Sequence, residues 1–434
     1  MPKVETPRDE YLESLITPAS QLPAVGGRRQ ALREEAAIAT ELMRMPTVKD
    51  EAYRFLNLAA LKATRFGFAD RPLPEASAVA PFVVEEASCR LVFVDGRYAP
   101  ALSAPGDDVA IGRLADAPEA LLARHLGSLA TFERDVFAAL NGRFLSDGAF
   151  VHVQRGQVVD KPIHLLFLST AEGEATASYP RALVVLEPSA EATVLEEYAS
   201  LGASTCFTDA VVEIAVSENA GLSHVRVQRE SQAAFHVGRV AVRLDRDARY
   251  QAKAITTGGR TARLNWDVAL AGSGAEAHMS GLTMVHGEQE ADTHSSVEHL
   301  VPHANCEQVN KNVVAGAAHA VFSGRVFVAK HAQSTNSQQS SRSLVLTDKG
   351  RVDTKPQLEI FADDVKCAHG ATVGQLEQDE VFYLRSRGLS DAEARALLTY
   401  AFAAEIIDAI PIPSLVERLR QQVLEQTDRQ GVQS

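Results

Sequence analysis

The chain is short of cysteine, tryptophan and positive charge. Its 434 residues include four cysteines, Cys89, Cys206, Cys306 and Cys367, far apart and with no CxxC pair. That pattern excludes a zinc ribbon, a thioredoxin-type motif and a disulfide scaffold, and it suits a reducing cytoplasm. Lys plus Arg total 43 against 56 Asp plus Glu, a net charge of −13. Neutralising phosphates needs clustered Lys and Arg, so the acidic balance argues against a nucleic-acid or anionic-membrane partner. No stretch reaches the roughly 18 apolar residues of a membrane helix. The longest greasy run, Pro162 to Leu168, is strand-sized. The opening residues carry no apolar h-region and too many acids for a transit peptide. GxxxxGK[ST], HExxH and GxSxG are all missing, so the chain is not itself a P-loop ATPase, and the easiest hydrolase readings fall away. A soluble, cytoplasmic protein is expected.

What is present divides into three textures. Residues 1–145 read as mostly helical. Gly27 to Leu42 is rich in strong helix formers, and Ile111 to Asn141 has leucines at spacings of three and four, with Asn141-Gly142 placed as a C-cap. Leu91–Val94 is a strand running into an Asp95-Gly96 turn. Residues 146–376 are short β-rich runs, from Phe150–Gln154 to Gln357–Phe361, separated by Gly, Asn, Asp and Ser. Two hundred residues without a helix-length period are long for a sandwich and comfortable for a β-solenoid, although no fixed-length repeat is visible. Residues 377–434 are helical again. Ser390 and Glu393 form a capping box ahead of an apolar stripe through Ala394, Leu397, Leu398, Ala401 and Phe402, and Ser414 to Asp428 makes a last amphipathic helix before a frayed tail from Arg429.

Three features could carry chemistry. Gly272-Ser-Gly274-Ala-Glu-Ala277 matches a dinucleotide fingerprint, but strand-like sequence follows it where a helix is required, so it reads as a turn. Seven of the thirteen histidines fall between His278 and His331, at spacings that follow a strand–turn rhythm rather than a ligand pattern. The sharpest feature is Cys367-Ala-His369. In a strand both side chains share one face, giving a soft-metal or persulfide-accepting pair whose thiol Lys366 would acidify. A packed strand cysteine explains the same residues equally well. Two ligands do not close a metal site, so further ones would have to come from elsewhere.

Lys355 to Leu376 and Val381 to Leu398 resemble the SufB/SufD family of the SUF iron–sulfur cluster assembly machinery. Asp95-Gly-Arg97, Ala139-Leu-Asn-Gly142, Asp160-Lys-Pro-Ile-His164 and Gly324-Arg325 are similar to its weaker landmarks. Asp50 to Phe55 is similar to its N-terminal segment, with Tyr53 where Trp is common. The SufB branch carries Cys-Gly-Ala-His-Thr and Glu-His-Glu-Ala segments. This chain has Cys367-Ala-His-Gly-Ala instead, so the resemblance is to the SufD branch. The resemblance implies a right-handed parallel β-helix core with flanking helical domains and a non-catalytic scaffold role. It implies an edge-to-edge complex with SufB and docking of the ABC-type ATPase SufC on the C-terminal helices, for which Tyr383, Arg385, Arg387, Gly388, Leu397 and Phe402 are the candidates. It places His369, with Cys367 beside it, at a transient iron–sulfur cluster site shared with SufB, and leaves open a flavin in the complex and a homodimer of the isolated chain. The competing readings are the SufB-type cluster-nucleating role, a β-helical carbohydrate-active enzyme, and a metal hydrolase built on the 278–331 histidines.

Overall fold

The computed structural model describes residues 9–106, 110–132 and 135–431. Its centre is a β-solenoid of about eight turns with helices at both ends of the chain. Each turn runs out along one sheet and back along another. The first sheet begins with Arg97–Tyr98 and Cys89–Val94 and proceeds through Glu276–Val285, Asn305–Val314 and Thr335–Val345 to Val365–Gly374. The second runs from Ala110–Arg113 and Ala149–Val153 through Glu290–His299 and His319–Val328 to Arg351–Ile360. Neighbours are parallel except the two pairs at the N-terminal end. The Asp95-Gly96 turn sits there with both residues at positive φ, 48° and 78°, as an Asp-Gly hairpin requires.

Inward positions from Leu91, Ile163 and Val194 to Tyr250 and Trp266 form one continuous apolar core. The Trp266 indole N–H donates to Tyr250 Oη at 3.3 Å, so the one tryptophan is core and not a sugar platform. The Gly272–Gly274 motif is a turn between Thr261–Leu270 and Glu276–Val285 with no helix after it.

The N-terminal third differs from its sequence pattern. Ala110–Arg113 is a strand, and Glu119–His125 and Val136–Arg143 are separate helices. Asn141 and Gly142 lie inside the second helix rather than capping it. The buried Asn141 amide donates to the carbonyls of Pro180 and Asp209 at 2.9 and 2.8 Å and accepts from Arg181 at 3.0 Å, tying the helix to the solenoid. A Cβ at Gly142 would sit 2.9 Å from that of Ala36, so the glycine allows close approach to helix Gly27–Glu41.

Three helices, Gln378–Ser386, Asp391–Ile407 and Pro413–Gly431, end the chain, and the Ser390–Glu393 capping box forms as read. The helix continues through the tail predicted to fray at Arg429, while residues 432–434 lie outside the described residues. Ile406, Ile410, Leu415 and Leu419 pack on Leu195, Val225 and Ile255. These belong to the outer face of the first sheet, so the helices cover the flank of the solenoid and do not cap its end. The reason is composition: that outer face is apolar mid-sheet, whereas Lys366 and Ala368 on the last strand are exposed.

Candidate site at the open end of the solenoid

Val365–Gly374 is the last strand of its sheet, paired only with Thr335–Val345, and Arg351–Ile360 ends the other sheet. Among the described residues no strand pairs with their outer edges, which present a row of backbone donors and acceptors. Register sets Cys367 beside Ser337 and His369 beside Gln339. Ser337 and Gln339 are buried in the interior, so Cys367 and His369 project from the inward face of a rung that has no successor. His369 is exposed in consequence, and Cys367 is half-buried against Val326, Leu358 and Ala362.

Strand parity brings the two together, as the one-residue spacing predicts. It also turns Lys366 the other way. Burial pushes the Cys367 thiol up, against an opposing hydrogen bond from the Ser337 backbone, so the expected acidification by Lys366 does not occur. Among the described residues no group of three or more His, Cys, Asp or Glu is arranged to hold a metal. Two clefts of about 540 and 580 Å³ lie elsewhere, and neither is lined by Cys367 or His369.

The other histidines are dispersed. His278 faces Glu307 at 3.5 Å, His294 pairs with Asp292 at 3.0 Å, and His319 with Asp353 at 2.8 Å. His299 is wholly buried. These pairs are separate, which leaves the metal-hydrolase reading without a site among the described residues.

The C-terminal candidates divide. Tyr383 and Leu397 are 56% and 43% exposed. Arg387 stacks on Tyr383 and donates to its hydroxyl at 3.2 Å, and Arg385 lies 3.5 Å from Asp391. Gly388, at φ 103°, follows the C-terminus of Gln378–Ser386 and makes the left-handed step a helix end favours. Phe402 is half-buried in the joint; its carbonyl accepts from Lys311 at 2.8 Å and its ring receives the same ammonium at 4.6 Å, so it is engaged internally. Sequence reading passed over Phe382, which is 72% exposed. Its signal was helical phase: Val381 and Leu384 turn inward, leaving Phe382 and Tyr383 outward. Phe361 and Val373, also exposed, flank the free edge.

Comparison with known proteins is consistent across the chain. Residues 167–402 match the SUF-system iron–sulfur cluster assembly SufBD core domain, and residues 28–165 match the SufBD N-terminal region. An iron–sulfur cluster assembly SufBD family protein of Synechocystis is 40% identical over 90% of this chain and 89% of its own length. The iron–sulfur cluster assembly protein SufD of Escherichia coli is 34% identical over 88% of each chain. A chloroplastic protein of Arabidopsis thaliana, ABCI7, is 30% identical over 95% of this chain and 89% of its own.

Proposed function

The chain belongs to the SufB/SufD family of the SUF iron–sulfur cluster assembly system, and from that membership we propose that it is the SufD-type, non-catalytic partner subunit of a SufB–SufC–SufD complex working in the cytoplasm. The observation that carries the reading is the open end of the solenoid, where Cys367 and His369 face inward on a rung with no further strand beyond it among the described residues. A parallel β-helix of the SufB type would add its own edge strand to Val365–Gly374 by backbone pairing. The nascent cluster, as cargo, would then take the Cys367 thiolate and the His369 imidazole from this side and its remaining ligands from the partner. Because burial holds Cys367 as a thiol, iron binding would release its proton. Without the partner the same edge would support a homodimer.

The C-terminal unit, residues 377–434, offers Phe382, Tyr383 and Leu397 as an exposed apolar surface with Arg385 and Arg387 at its rim, and this is where a SufC-type ATPase would dock. Its helices are tied to the solenoid by buried charge, so movement imposed on them by ATP-driven dimerisation would pass to the core and open the shared edge. Co-expression with SufB and SufC tests the reading. His369→Ala is expected to leave the complex intact and to remove acid-labile sulfide from it. Unchanged cluster content would overturn the site assignment, and failure of the wild-type chain to co-purify would overturn the partner assignment.

A further inference from the structure

The cleft of about 540 Å³ lies in the N-terminal helical region, between helix Glu10–Ile16 with its 3-10 extension Thr17–Gln21, helix Gly27–Glu41 and the last residue of helix Val136–Arg143. Two arginines line it. Arg33 donates through Nε to the Leu145 carbonyl at 2.5 Å and through Nη1 to the Pro23 carbonyl at 2.7 Å, and its Nη2 has no acceptor among the described residues. Arg143 donates through Nη1 to the Ala37 carbonyl at 3.1 Å and to the Thr40 hydroxyl at 2.7 Å, and its Nε has no acceptor either.

Carbonyls and hydroxyls satisfy donors but carry no net charge, and among the described residues neither guanidinium forms an ion pair with a carboxylate. Burial lowers both below the ordinary arginine value, with Arg29 adding its repulsion at Arg33 and Glu41 only partly opposing the effect at Arg143. Glu13 and Glu34 line the same cleft, but Glu34 accepts from Gln30 at 2.7 Å and neither acid pairs with these arginines. The rest of the molecule treats such groups differently. Arg181, Arg226 and Arg263, buried outright, hold Glu213, Glu196 and Asp292. In the 580 Å³ cleft, Arg229 holds Glu197 and Glu230 holds His236. A cation taken out of water without an anion is costly. The first cleft therefore lacks negative charge, in a chain whose net charge is −13.

We propose that this cleft binds a small organic dicarboxylate, with one carboxylate on Arg33, the other on Arg143, and the carbon skeleton against Ile16, Ala19 and Ala37. The planar guanidinium fork matches a carboxylate, and the volume is that of a small-molecule site. The two arginines are fastened to different carbonyls, so they present two separate positive poles rather than one. The cleft shares no residue with the open end of the solenoid or with the C-terminal docking surface, so the inference does not rest on the proposed function.

Calorimetric titration of the full-length chain with succinate, at ionic strength held constant with sodium chloride, tests this. Succinate should bind saturably, one molecule per chain, and succinamide, its uncharged counterpart, should not bind. Arg33→Gln and Arg143→Gln should each weaken binding at least tenfold. Arg124→Gln removes the same charge from an exposed helix position outside the cleft and should change nothing. Because the first two variants also lose bonds to carbonyls, Ala37→Glu is the second probe: it keeps both arginines, places a carboxylate in the cleft, and should abolish succinate binding while the chain stays folded by circular dichroism. Absence of saturable binding, or binding that Ala37→Glu leaves unchanged, would overturn the site. Inorganic phosphate binding as tightly as succinate would overturn the organic-acid assignment, since the apolar wall would then contribute nothing.

Discussion

The guanidinium of Arg418 on the last helix lies 3.2 Å from the carboxylate of Glu197, a residue with no exposed surface. Glu197 already holds His164 at 3.0 Å and Arg229 at 2.6 Å. Burial alone would raise this carboxyl. The hydrogen bond from His164 and the charges of Arg229 and Arg418 outweigh it and bring the group down to about 2. Glu86 reinforces the same joint by accepting from the Ser414 backbone at 2.8 Å.

The two partners should be unequal on removal. Glu197→Ala leaves the buried His164 and two guanidiniums without their anion and should cost about 3–5 kcal/mol. Arg418→Ala leaves Glu197 with two partners and should cost about 1–2 kcal/mol. Urea unfolding of both variants checks this, and equal losses would refute the central role given to Glu197.

Acid should unfold the chain in two stages. Burial lowers His299 to about 4 from its ordinary 6.5. The unfolded chain therefore binds the extra proton first, and stability falls as pH drops from 6.5 towards 4. Glu197, depressed from 4.5 to about 2, contributes stability that is present above 4.5 and is lost as pH falls from there towards 2. Each group contributes a slope of at most about 1.4 kcal/mol per pH unit. Urea midpoints at pH 7, 5.5 and 4 read the first stage; a flat profile would count against the neutral, buried His299.

A side chain at Gly324 should displace Gln339. A Cβ there would run into the carboxamide of Gln339, which crosses the interior from the opposite sheet. Gly324→Ala should destabilise by about 1–3 kcal/mol. Adding Gln339→Ala should recover part of the loss, and a double-mutant cycle measures that coupling.

Phe382→Asp should leave the melting temperature of the isolated chain within a degree or two, since the ring is exposed. The same change should lower affinity for a SufC-type ATPase by at least tenfold in a titration. Undiminished affinity would move the docking surface elsewhere.

Most of the solenoid was legible because turn residues punctuate it, yet its repeat was not. Rungs vary from 26 residues, where Phe235 lies beside Thr261, to 33, where Ala149 lies beside Ala182. Turns absorb the difference while strand register stays fixed, so no constant period reaches the sequence. Thr335–Val345 is faint in the sequence because both its faces are polar and hydropathy does not alternate. Arg249–Thr256 does alternate, with Arg249, Gln251 and Lys253 on one face and Tyr250, Ala252 and Ala254 on the other, but two of its three inward residues are alanine, so its apolar face is faint. Cys367 and His369 share a face as spacing alone predicts. That this face belongs to the terminal rung depends on chain topology, which local pattern does not encode. Asn141 read as a cap because its partners, the carbonyls of Pro180 and Asp209, are remote in sequence.

Among the described residues the end strands have a neighbour on one side only, and in a stacked architecture each unit draws its stability from the units it touches. Arg351–Ile360 and Val365–Gly374 therefore form the least protected cooperative unit of the solenoid, the first to exchange its amide hydrogens and to fray. A protein that pairs with this edge completes the stack, so recognition and the last step of folding become one event.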